Sequence, residues 1–93
     1  MNINELEEHK CYKSKDMFYT YLFRFRKWEV CYSDYAMVYH EQFYRKVGGE
    51  NFYASNGAFS IAMGTQFELV PDNIANKLFK IIEMSISTVN TLI

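Results

Sequence analysis

The stretch that most limits what this chain can become is residues 17–32, MFYTYLFRFRKWEVCY. It carries seven aromatic rings in sixteen positions, and its only charges are Arg24, Arg26, Lys27 and Glu29. So many rings need burial on at least one side, and aromatic residues fit a pleated surface better than a helix. Folded back on itself with Arg26 and Lys27 as the loop, the stretch forms a hairpin with Phe25 across from Trp28, Phe23 from Val30 and Tyr21 from Tyr32. The same register sets Arg24 opposite Glu29, and Leu22 opposite Cys31, on the other face. A helix competes, because Met17, Tyr21, Phe25 and Trp28 also recur at helical spacing. The hairpin is the preferred reading, although Arg-Lys lacks the Asn or Gly that a tight primed turn favours.

On either side of this segment the chain alternates between helix and strand signals. Asn2 or Asn4 is placed to cap a short helix reaching Glu8 to Lys10, with Ile3 and Leu6 facing inward. Ser33 and Asp34 form an N-cap pair for a helix over 35–47, whose stripe is Ala36, Tyr39, His40, Phe43 and Val47. Arg45 and Lys46 suit its last turn, and Gly48 and Gly49 stop it. Asn56 and Gly57, between 52–54 and 59–61, read as the turn of a second hairpin, and 66–70 adds a short strand. Pro71 and Asp72 then open a long C-terminal helix. Along it Ile74, Ala75, Leu78, Ile82, Ile86 and Val89 form a wide apolar face, broadened by Phe79 and Ile81. The expected fold is α+β. Two hairpins build a small antiparallel sheet of four or five strands, covered by two or three helices, the last one long.

Ninety-three residues, half of them hydrophobic, make one domain with its own core. Ten basic against eleven acidic residues give a formal charge of −1, which argues against a dedicated nucleic-acid binder. No apolar run approaches the length of a membrane span, and no basic-then-apolar leader opens the chain. Cys11 and Cys31 lack the spacing of a disulfide framework, so free thiols in a reducing cytoplasm are expected.

Candidate chemistry is sparse. His9, Cys11, Cys31 and His40 are the one soft ligand set, but structural zinc draws its ligands as close pairs, and neither spacing fits. A Cys–His nucleophile lacks an orienting third group, and Cys31 opposite Leu22 reads as a small buried hydrophobe. His40, on the apolar stripe, reads as a packed imidazole. Gly48 and Gly49 follow a helix instead of opening one, so they make no phosphate loop. No metal or cofactor is expected.

What remains is binding. The surplus of rings and the wide helix face point to a non-enzymatic cytoplasmic interaction protein, an inhibitor, adaptor or regulatory subunit, with a protein partner. The candidate contact residues are Tyr21, Arg24, Arg26, Lys27 and Trp28 in the aromatic segment, and Leu78, Ile82, Ile86 and Val89 on the helix. Ile74, Ile81 and Leu92 lie beside them. The same helix surplus predicts a two-fold homodimer. One alternative is a single-stranded nucleic-acid module that uses the aromatic and basic hairpin. Another is a small-molecule site or active site shared across an oligomer interface.

Overall fold

A computed structural model describes residues 1–15, 19–47, 53–54 and 58–92, with the side chains of 47, 53–54 and 85–92 outside that description. A 3-10 turn, Ile3–Glu5, leads into strands β1 (Cys11–Lys15), β2 (Tyr19–Tyr32), β3 (Tyr35–Val47), β4 (Tyr53–Ala54), β5 (Phe59–Ala62) and β6 (Glu68–Val70). A single α-helix, α1 (Asp72–Leu92), closes the chain. The strands form one antiparallel sheet in the order β4-β3-β2-β1-β6, with β5 also paired to β3. The α+β class therefore holds. Among the described residues, however, one α-helix covers the sheet, not two or three.

Residues 17–32 do not fold back on themselves. Tyr19 to Tyr32 form one strand of 14 residues, and the reversal falls at Ser33 and Asp34, where Tyr32 meets Tyr35. Arg24 is therefore paired with Gln42 and Glu29 with Met37, so the expected Arg24–Glu29 and Leu22–Cys31 pairs are not made. Neither Ser33 nor Asp34 has positive φ, which rules out a primed turn. The ladder absorbs the mismatch by leaving Cys31 unpaired one residue before the turn.

Residues 35–47 are a strand as well, and irregularities in the β2–β3 ladder explain the expectation of a helix there. Between the Arg24–Gln42 and Phe25–His40 pairs Glu41 has no partner, and between Phe25–His40 and Lys27–Tyr39 Arg26 has none. Each bulge shifts the inward phase by one residue. On β2 the inward set runs Tyr21, Phe23, Phe25 and then Trp28, and on β3 it runs Ala36, Val38, His40 and then Phe43. A period of two with one slip imitates helical spacing.

Asn56 and Gly57 lie outside the described residues, but the strands beside them contradict a hairpin of their own. Tyr53–Ala54 pairs with Arg45 and Tyr44, and Phe59–Ala62 pairs with Val38 through Tyr35. Both follow the same edge of β3 in one direction, as an edge strand in two pieces. Gly48 and Gly49 also lie outside the described residues.

The two faces of the sheet bury different things. Tyr12, Tyr21, Phe23, Phe25, Phe43 and Ile61 line one face, closed by Ile3 and Phe67. Phe59 from one edge and Phe67 from just before the other edge strand both reach Phe23, at 5.4 and 5.9 Å between ring centroids. The sheet is therefore curled, with the fully buried Phe23 at its focus. The N-terminal segment is tied in by reciprocal Met1–Phe67 backbone bonds of 2.8 Å. Against the other face α1 packs Ala75, Phe79 and Ile82 onto Cys11, Leu22, Tyr44 and Val70. Burial of Phe79 or Ile82 contributes roughly 1.5–3 kcal/mol each. The helix begins with the Pro71 carbonyl accepting from Ala75, so Pro71 is the N-cap, one position earlier than its sequence suggests.

Candidate functional site

Of the residues proposed for contact, several are consumed by the fold. Tyr21 is buried, stacked on Phe59 at 5.2 Å and 5.6 Å from the Phe43 ring. Trp28 is half-buried on the same side. Ile82 is buried beneath α1. Tyr21 and Ile82 are therefore not accessible contacts, and Trp28 keeps only part of its surface open. The side chains of Ile86 and Val89 lie outside the described set.

Arg24 is a tether. Its guanidinium donates to the His9 carbonyl at 2.6 Å and to Asn76 Oδ1 at 2.9 Å, stands 3.5 Å from Asp72, and lies over the Phe79 ring. It thereby joins the N-terminal turn, β2 and the first turns of α1. Farther along the same flank, Glu83 accepts from Tyr44 Oη at 2.6 Å and from Gln42 Nε2 at 2.8 Å. Burial, with help from the bond to Glu83, raises the Tyr44 phenol above its ordinary pKa.

Arg26 and Lys27 do remain exposed. Lys27 lies 5.0 Å over the Tyr39 ring and 3.8 Å from Glu29, while Tyr39 Oη donates to Glu29 at 3.3 Å. Beyond them the β2–β3 ribbon ends in an apolar tip, where Val30, Tyr32 and Tyr35 are 56%, 73% and 48% exposed. A shallow groove of about 800 Å³ beside the tip is lined by Cys31, Tyr32, Asp34, Tyr35, Ala36, Met37 and Ser60. A second groove, of about 570 Å³, lies where Lys13, Ser14 and Lys15 face Gln66 to Glu68.

The other open apolar surface is on α1 and centres on a different row from the expected one. Ala75, Phe79 and Ile82 point into the sheet, whereas Ile74, Leu78, Ile81 and Met84 are 48%, 39%, 61% and 63% exposed. Of the candidate residues whose side chains are described, only Leu78 belongs to this row. Met84 and the ribbon-tip rings were not identified from sequence. The sequence shows a wide apolar arc on the helix but not which part of it the sheet takes.

The four soft ligands sit in four different surroundings. Cys11 is buried under α1, where burial raises its thiol pKa against the opposing pull of Arg24. Cys31 is exposed at the ribbon tip, not buried as its expected partner Leu22 implied. His9 contacts Glu41, and His40 stacks on Phe43 at 4.6 Å, with its pKa lowered by burial. Among the described residues no group of three metal-binding side chains forms, and neither cysteine is hydrogen-bonded to a histidine. No described helix is long and apolar enough to cross a membrane. No protein family, curated protein or solved structure matches this chain.

Proposed function

We propose that this chain is a non-enzymatic interaction protein whose work is to bind another macromolecule. The observation that carries the reading is the row Ile74, Leu78 and Ile81, exposed on a helix whose opposite side is already packed. Water-facing isoleucine and leucine at successive helical turns cost a small domain stability unless something covers them. The exposed rings at the ribbon tip add a second apolar surface, of the residue types enriched in protein contacts. Self-association competes for the same row, and a two-fold pair would use Leu78 with Ile74 and Ile81 instead of Ile82.

Single-stranded nucleic-acid binding has less behind it. Tyr21, which would stack on bases, is spent on the core, Trp28 is partly packed against it, and Arg24 is occupied by the helix. Affinity capture of the full chain from its source cells, with mass spectrometry of what stays bound, tests the proposal. A macromolecule held in a fixed ratio is the expected result. Recovery of only a small ligand in the groove beside Cys31 would refute it.

A further inference from the structure

The open row on α1 does not stand alone, and the charges around it say what would cover it. Lys77 follows Ile74 by three residues and precedes Ile81 by four, and Lys80 precedes Met84 by four, so both lysines border the row along the helix surface. Neither makes an ion pair among the described residues. On its other flank the helix is tied to the sheet by Asn76 to Arg24 and by Glu83 to Gln42 and Tyr44. The flank bearing Ile74, Leu78 and Ile81 therefore looks toward the opposite end of the strands, where the ladder carries Lys13 and Lys15. Lysines thus lie on both sides of the apolar row.

The acids of this region are fewer than its cations. Glu68 is 3.4 Å from Lys13, Asp72 stands 3.5 Å from Arg24, and Glu83 keeps its charge while accepting bonds from the neutral Gln42 and Tyr44. Lys13, Lys15, Arg24, Lys77 and Lys80 stand against Glu68, Asp72 and Glu83, so the described surroundings of this apolar ridge are net positive although the chain as a whole carries −1.

We infer that this ridge binds an acidic amphipathic helix from another protein. The inference rests on the interaction reading above and deepens it by naming the partner's chemistry. A helix with a leucine-type stripe would lie against Ile74, Leu78 and Ile81, and glutamates flanking its stripe would meet Lys77 and Lys80. A second copy of this chain fits less well, because it would bring the same lysines to the same ridge. The exposed side chains offer roughly 400 Å² of apolar surface, about the largest patch an ordinary monomer carries. Two such patches bury about 800 Å², which suits a short helix bound transiently and falls below the roughly 1,200 Å² of a stable specific pair.

The test uses the full chain, isotope-labelled for NMR. It is titrated separately with two synthetic helical peptides that share one leucine stripe, one carrying glutamate at all other positions and one lysine. Vesicles of phosphatidylcholine with phosphatidylserine form a third arm. The glutamate peptide is expected to bind at least about tenfold more tightly than the lysine peptide, with amide shifts confined to the stretch from Ile74 to Met84. The double variant Lys77→Glu/Lys80→Glu should lose that preference by a similar factor. Leu78→Asp should abolish binding while its remaining spectrum stays native. Equal affinity for both peptides, shifts centred elsewhere, vesicle binding in preference to the glutamate peptide, or a doubling of mass abolished by Leu78→Asp would each overturn the inference. If the macromolecule captured in cells binds Leu78→Asp unchanged, this ridge is the wrong surface but the interaction reading survives.

Discussion

Replacing Arg24 by methionine isolates what the guanidinium contributes, because methionine keeps an unbranched apolar stem against Phe79 and removes the charge and its N–H donors. Three groups lose their donor. The Asp72 contact is long, at 3.5 Å, and Asp72 is 67% exposed, so its share is close to zero. The bonds to the His9 carbonyl and to Asn76 are short, at 2.6 and 2.9 Å, and the Arg24 side chain is only 17% exposed. Hydrogen bonds to a charged group are worth roughly 1.5–3 kcal/mol each. Allowing for solvent at the acceptors, the pair should be worth about 2–3 kcal/mol. One of these bonds also holds His9, whose φ of 72° lies in the left-handed region, which a non-glycine residue adopts at a cost of about 1–2 kcal/mol. For a domain this size each kcal/mol moves the melting temperature by about 4–8 °C, so Arg24→Met should melt some ~10–20 °C lower. Thermal melts followed by circular dichroism measure it, and hydrogen exchange should show faster opening of the first turn of α1. A loss under about 0.5 kcal/mol, the size of an ordinary surface substitution, would refute the tether.

Phe23→Ala should cost about 3–5 kcal/mol in urea titration, since it empties the point where rings from both sheet edges meet. In the native protein a thiol reagent should label Cys31 rapidly and Cys11 only on unfolding, giving one fast equivalent and a second in denaturant. Burial lowers the pKa of His40 below its ordinary 6.5, so the unfolded chain takes up its proton first as pH falls. This contribution to stability is therefore full above pH 6.5 and declines as pH falls from there toward the folded-state pKa. His40→Gln should flatten that part of the stability–pH curve, and an unchanged slope would show that other groups set it.

What the sequence revealed, and what it hid, follows from where its rules are local. The helix after Pro71 was legible because its cap, first-turn acid and apolar arc are all read within one turn of each other. The short strand before it and the inward Ile3 were legible for the same reason. The β2–β3 ribbon was not. Its reversal uses Ser33 and Asp34, which also read as a helix cap, and the bulges at Arg26 and Glu41 put a slip into each alternating pattern. A slip is caused by the partner strand, which a linear reading does not see. Likewise, Tyr21 and Ile82 carry no mark that says core instead of contact. Tyr21 is buried by Phe59, from a strand nearly forty residues on, and Ile82 by a sheet face opposite an equally apolar row.

The paired bulges also determine how this ribbon can change length. Arg26 and Glu41 are additions to the reading frame of two facing strands, and each lies where the ladder has no partner for it. Removing either one leaves every later side chain on the face it already occupies and alters only the bend. Removing a laddered residue such as Phe23 or Val38 is a frameshift, turning the rest of that strand inside out and sending Trp28 or Phe43 to the wrong side. Lineages of this chain can therefore gain or lose curvature at these two positions without rewriting the core, and at the paired positions between Tyr19 and Val30 they have no such freedom.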